Sequence, residues 1–162
     1  MIKIINENLM NELSEKAKKS DRLRTHFNLH SELDEPIHRL CIAAEPDTYM
    51  RPHRHRDKWE LMIILKGKAS IILFDDRGKV IKKTALTQNG TAAVEIEAGV
   101  WHVFYAEESG TVLMEVKAGP YKPTAPEDSA SWAPKEGEEG TNQMLNAYRS
   151  CRENQQINIK EL

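Results

Sequence analysis

Cysteine is scarce in this chain. Only Cys41 and Cys151 occur in 162 residues, with no zinc-type pair and no disulfide framework, so a reducing compartment is the plain expectation. An excess of one charge is also missing: 23 Lys and Arg stand against 25 Asp and Glu, for a net charge of −2 spread along the chain. That balance argues against a polyanion binder, and nucleic acid is not an expected partner. Long apolar runs are absent too. No stretch approaches the length that spans a bilayer, and Met1 to Asn6 lack the apolar core of a signal peptide, so a soluble, cytoplasmic chain without a membrane partner is expected. There is no internal repeat, and the length fits one domain with its own core.

What is present is a concentration of ligand-type residues in His53-Arg54-His55-Arg56-Asp57-Lys58-Trp59-Glu60, followed by Gly67. Side chains alternate faces along an extended segment, so His53 and His55 point the same way. Glu60 has the wrong parity to join them on one straight strand; Arg56-Asp57-Lys58 must turn the chain and return Glu60 on the next strand. Two imidazoles and a carboxylate converging from neighbouring strands suit a borderline divalent transition metal. His102, in Gly99-Val100-Trp101-His102, is the candidate fourth ligand. His38 has no such partner and reads as structural.

The spacing H-x-H-x(4)-E-x(6)-G, followed later by G-x-x-H, resembles the two motifs of the cupin superfamily. The second motif rests mainly on Gly99 and His102. More closely, the string from Glu45 to Phe74, with Arg51-Pro52-His53-Arg54-His55 and Phe74-Asp75-Asp76-Arg77-Gly78, is similar to the WbuC-type cupin metalloproteins, often encoded near surface-polysaccharide genes. The resemblance implies an all-β fold: a single cupin jelly-roll barrel (an antiparallel double-stranded β-helix), with one metal ion held by His53, His55, Glu60 and His102. It also implies a homodimer.

A pass along the chain agrees with that class. Asn6 caps a helix running to about Lys19, with Leu9, Met10, Leu13 and Ala17 on one face, expected to act as a lid or a dimer element rather than core. From Arg22 to His30 the period changes to two, and Arg22, Arg24, His26, Asn28 and His30 form a polar ribbon. One reading is a solvated outer face; the other is a ligand-binding surface, since the ribbon holds directional hydrogen-bonding groups and arginines suited to carboxylate or phosphate. The WbuC-type resemblance includes this ribbon. Strands are expected at about 37 to 44, 48 to 55, 60 to 66, 69 to 74, 79 to 86, 92 to 96, 101 to 106 and 111 to 117, separated by Gly, Asn, Asp and Pro turns. In the second of these Tyr49 and Arg51 share a face with His53 and His55, which would add a hydroxyl and a guanidinium to the metal side; pairing of Arg51 with an acidic neighbour is an equal alternative.

Three segments follow: an N-terminal helical segment (1 to 20), the barrel (21 to 119), and a proline-rich arm with a short helix over 141 to 152 and a mobile final ten residues (120 to 162). Trp132 is expected to anchor the arm against the barrel or a partner subunit. The functional expectation is a metal-dependent protein acting on a small anionic or sugar-derived metabolite, with Arg22, Arg24, His26, Asn28, His30, Tyr49 and Arg51 as candidate ligand-binding residues. Iron, manganese, nickel, cobalt and zinc all fit the donor set. Oxygen-dependent chemistry and redox-neutral isomerisation or hydrolysis compete as reaction classes, and a non-catalytic cupin with a structural or sensory metal is the alternative.

Overall fold

The computed structural model describes residues 2–157. Helix α1 (Glu7–Lys19) starts where Asn6 Oδ1 accepts the Leu9 N–H at 3.0 Å, filling one of the donors a helix N-terminus leaves open. Lys16, Lys18 and Lys19 sit in its last turn, where positive charge opposes the helix dipole favourably. Eight strands follow: β1 (Arg24–Asn28), β2 (Ile37–Ala44), β3 (Glu60–Lys66), β4 (Lys68–Phe74), β5 (Val80–Thr87), β6 (Ala93–Ile96), β7 (Trp101–Ala106) and β8 (Thr111–Ala118). A 3₁₀ turn (Pro126–Asp128) and helix α2 (Thr141–Ser150) complete the chain.

The strands form two antiparallel sheets, one in the order β1-β2-β8-β3-β6 and one in the order β5-β4-β7. From β3 onward the chain crosses between them after β3, β5, β6 and β7, the jelly roll expected from the motifs. Met62, Ile64 and Leu113 from the larger sheet meet Ala69, Ile71 and Leu86 from the smaller, giving an apolar barrel interior. Each sheet also buries part of its outer face.

On the larger sheet the cover is α1. Leu13 and Ala17 are buried against Cys41, Ala43 and Val112, so the helix is core of its own chain, contrary to the expected lid or dimer element. Its apolar stripe finds a flat cluster of small residues on β2 and β8, and burial there satisfies it within the chain.

On the smaller sheet the cover is the C-terminal arm. Ile72, Phe74, Val103 and Tyr105 pack on Trp132, Met144, Leu145 and Tyr148 in one aromatic-rich cluster. Trp132 is 7% exposed, its ring 5.0 Å from Phe74, so of the two anchoring sites expected for it, its own barrel is the one seen. Gly78 makes this approach possible: with φ +85 in the β4–β5 turn, it lies so near the indole that a Cβ would sit 2.7 Å from Trp132 Cδ2. Lys83 on β5 donates to the carbonyls of Tyr148 and Arg149 at 2.8 Å each, capping the last turn of α2. The tail expected to be mobile is packed as far as it is described: Ile157 N–H donates to Gly78 O at 3.0 Å and the side chain is buried. The rest of that stretch, 158–162, lies outside the described residues.

The segment 48 to 55 is not the regular strand that alternation suggests. Only His53 takes a ladder position, bridging His102 on one side and Ser129 of the arm on the other. Pro52 has no N–H to give, and its carbonyl instead accepts from Ala130 at 2.9 Å. The arm thus supplies the outer edge of the smaller sheet.

Truncating Trp132 should therefore cost as much as a core aromatic. Trp132→Ala is expected to lower unfolding free energy by about 3–5 kcal/mol in urea titrations, and a loss below about 1 kcal/mol would mean that the arm does not seal the sheet as described.

Candidate metal centre

The site is assembled around one reciprocal backbone pair. His53 N–H donates to His102 O at 3.0 Å and His102 N–H returns to His53 O at 2.9 Å, which places the two rings side by side with centroids 4.6 Å apart. His55 is fixed by Gly99, whose N–H donates to the His55 carbonyl at 2.7 Å from a turn that requires φ +82. Residues 56 and 57 then turn the chain, and Glu60 opens β3. One ligand atom from each of His53, His55, Glu60 and His102 lies within 4.8 Å of the others. The fold brings together all four residues of the sequence motifs.

Their hydrogen bonding leaves the inner atoms free. His53 Nδ1 faces Arg51 O at 3.2 Å and His102 Nδ1 faces Val100 O at 2.9 Å; an N–H donated to each carbonyl leaves Nε2 with its lone pair turned inward. Among the described residues, the buried Nε2 atoms of His55 and His102 have no hydrogen-bond partner. Glu60 Oε2 is 2.9 Å from His102 Nε2 but out of line for a hydrogen bond, and Glu60 Oε1 is 3.8 Å from His55 Nε2. Burial, with His102 beside it, pushes His53 down to about 3, and burial pushes His55 down to about 4, so both rings stay neutral at physiological pH. Neutral imidazoles with orphaned lone pairs, converging on a carboxylate, are what a divalent cation needs. The residues fit the metal that the sequence motifs imply.

Glu60 has a support that sequence reasoning missed. Lys117 Nζ lies 3.1 Å from Glu60 Oε1 and 2.6 Å from Glu115 Oε1, all three groups largely buried. Burial acts to raise the Glu60 carboxyl, and His102 and Lys117 outweigh it, holding Glu60 well below the usual range. Burial and the neighbouring Glu60 push Glu115 the other way, up to about 8. The signal was present in β8, where Glu115 and Lys117 share the parity of buried Leu113, but only the strand order puts Lys117 opposite Glu60.

Two cavities meet at this cluster. One, of about 200 Å³, is the barrel interior, reached past Arg22, Arg24 and His26 and walled by Met62, Ile71 and Phe104, with His53, Glu60 and His102 at its base. The other, of about 420 Å³, lies between the 53–58 segment and the start of the arm, and His53 and His55 form part of its wall.

The candidate ligand residues divide accordingly. Arg22, Arg24 and His26 line the barrel cavity, and Asn28 shares their side of β1 without lining it. His30 does not: it stacks on His38 at 4.1 Å and its Nδ1 faces the Arg39 backbone. Tyr49 and Arg51 are turned into the arm, where Tyr49 OH donates to Pro134 O at 2.8 Å and Arg51 Nε to Ala130 O at 3.0 Å. Parity would have aligned them with the histidines on a regular strand, and the irregular segment breaks it. The carboxylate found by the ribbon arginines belongs to the chain itself. Glu136 Oε1 accepts from Arg22 Nε at 2.7 Å, and Oε2 accepts from Arg22 Nη2 at 2.6 Å and Arg24 Nη2 at 2.8 Å.

With this geometry established, comparison places the chain. Residues 5–86 match the family described as "Domain of unknown function (DUF6016)", half of the chain. The chain belongs to this family. No curated protein matches it in sequence. Among solved structures, TT1209 from Thermus thermophilus is 17% identical, over 72% of this chain and 97% of that one, with a TM-score of 0.52. KdgF from Halomonas sp. is 14% identical, over 61% and 82%, with a TM-score of 0.49. A cupin superfamily protein from Desulfitobacterium hafniense is 13% identical, over 59% and 76%, with a TM-score of 0.47. At its identity the likeness to TT1209 is one of fold, and the two antiparallel sheets with their crossovers make this family member a jelly roll of the cupin kind.

The arginine clamp yields a pH expectation. Arg22, with Arg24 behind it, holds the Glu136 carboxyl down to about 2 from an ordinary 4.5. A depressed carboxylate contributes stability that is fully present above its unfolded value and is lost as pH falls through the folded one. Between pH 5 and 2 the parent should therefore lose stability more steeply than Glu136→Gln. The difference at pH 7 should be a few tenths to about 1 kcal/mol, since the clamp is partly solvated. Identical slopes in acid titrations of unfolding would refute it.

Proposed function

We propose that this DUF6016 chain is a metal-binding cupin of the WbuC type, acting on a small anionic or sugar-derived metabolite, with His53, His55, Glu60 and His102 as the ligands. The observation that carries the reading is the convergence of three imidazoles, two of them kept neutral by burial, and one ionised carboxylate, with the Nε2 atoms of His55 and His102 unpaired, where two cavities meet. A divalent ion held there supplies Lewis-acid polarisation of a ligand oxygen. The chain's own residues set the geometry: the Arg51 and Val100 carbonyls orient the rings of His53 and His102, and Lys117 holds Glu60 in place from behind.

The role in surface-polysaccharide metabolism rests on the WbuC resemblance, as does the homodimer. A dimer contact would have to use surfaces other than Trp132 and the buried stripe of α1 at Leu13 and Ala17, which are occupied within the chain. A reducing, cytoplasmic setting is supported by the two cysteines, both free and buried.

Untagged protein purified without added metal is expected to hold about one transition-metal ion per chain by elemental analysis, and His53→Ala/His55→Ala to hold about a tenth of that or less. Iron or manganese would direct assays to oxygen uptake with sugar-derived acids, and zinc or nickel to redox-neutral reactions. Absence of metal from both proteins, with no rise in melting temperature on metal addition, would defeat the proposal and leave a non-metallic binding barrel.

A further inference from the structure

The two cavities that meet at the cluster differ in chemistry. The barrel cavity is apolar along Met62, Ile71 and Phe104, and the two guanidinium groups at its mouth are already engaged, because Glu136 binds Arg22 and Arg24 with its two oxygens. The larger cavity is cationic. Arg54, Arg56, Lys58, Lys117 and Lys122 line it, against the two carboxylates Asp57 and Asp128. Lys117 is committed to Glu60 and Glu115. Arg54 and Arg56 share Asp128 Oδ1 at 2.9 and 2.6 Å, and Arg54 has a longer contact of 3.6 Å to the largely exposed Asp76. Lys58 Nζ donates only to the Pro120 carbonyl, at 2.7 Å, and Lys122 has no hydrogen-bond or ion-pair partner among the described residues. Uncompensated positive charge is thus gathered in a concave site whose wall includes His53 and His55.

We infer that this cation-lined cavity is an anion site for the phosphoryl group of the ligand, with Lys58, Lys122 and Arg56 as its binding residues, while the barrel cavity receives the less polar part. The inference rests on the proposed metal-centred function, and it moves the anion away from the ribbon arginines to the second cavity. A phosphoryl group fits better than a single carboxylate, because several lysine and arginine donors from two chain segments converge on one volume, and a dianion engages them together. Focusing of charge in a cleft would also raise the local concentration of such a ligand and make its capture salt-dependent.

The test is calorimetric titration of the full chain with inorganic phosphate and pyrophosphate, both after chelator treatment and after cobalt(II) loading, with acetate at matched ionic strength as control. Pyrophosphate should bind, and Lys58→Gln/Lys122→Gln should weaken it about tenfold or more. Lys58→Arg/Lys122→Arg should retain binding, which separates lost charge from a loosened arm, and Arg22→Gln should leave it unchanged. Absence of pyrophosphate binding in either metal state, equal response to acetate, or indifference to the glutamine pair would overturn the inference. So would a tighter complex in Glu136→Gln, which would place the anion on Arg22 and Arg24 instead. Metal content, measured separately on the same samples, distinguishes this from failure of the metal reading: lysine-dependent binding by a protein that takes up no metal would keep the anion site and remove the metal centre.

Discussion

The paired peptide groups of His53 and His102 are the constraint on which the rest depends. An antiparallel pair that exchanges both hydrogen bonds sets its two side chains next to each other on one face. Here that rule turns a register into a ligand pair. The same peptide of His53 is bridged from its other side by Ser129, so one residue fastens an irregular segment to the sheet and the C-terminal arm to the segment. Loosening the arm would therefore reach the metal ligands through the backbone around His53, where Pro52 O and Arg54 N–H pair with Ala130 and Asp128, without touching any ligand side chain.

That linkage explains why the arm carries so much of the apolar burial. A three-stranded sheet with an exposed outer face would leave Phe74, Val103 and Tyr105 in water, and aromatic side chains dominate burial energetics. The arm brings Trp132, Met144, Leu145 and Tyr148 to cover them. Stability and site geometry are thus coupled by construction: the cluster that covers the sheet also holds the segment bearing His53 and His55.

Most of the fold was legible in the sequence because it is written in local patterns. Turn residues at Asp75 to Gly78 and Ala98-Gly99 punctuate the strands, and seven of the eight expected strands end close to where they were placed. The four cluster residues were legible for a different reason: ligand type and spacing coincide in the motifs. What escaped sequence reasoning were contacts with distant partners that no motif marks. Tyr49 and Arg51 were assigned by parity along a strand, but Pro52 and the arm's backbone replace the ladder there, so parity carries no information about facing. Lys117 and Glu115 share the inward face of Leu113, and only the strand order, with β8 between β2 and β3, sets Lys117 opposite Glu60. The role of Glu136 depends on a return of the chain across more than a hundred residues, which no local pattern encodes.

Burying Lys117 with two carboxylates needs a reason beyond stability, since replacing such a group by apolar side chains is often neutral or better. The cluster itself supplies one. Glu60 is 4% exposed, and an ionised carboxylate at that depth without compensation would take up a proton and cease to be a ligand. Lys117 keeps it charged, and the second carboxylate, Glu115, sits where burial and Glu60 favour its protonated form, so the triad can carry one net negative and one positive charge rather than an excess. The charged group facing the imidazoles is then fixed in place before any cation arrives. A preformed anionic ligand beside the neutral rings of His53 and His55 favours a divalent ion over a proton at that point, because burial has already pushed those two rings far below the pH at which they would compete.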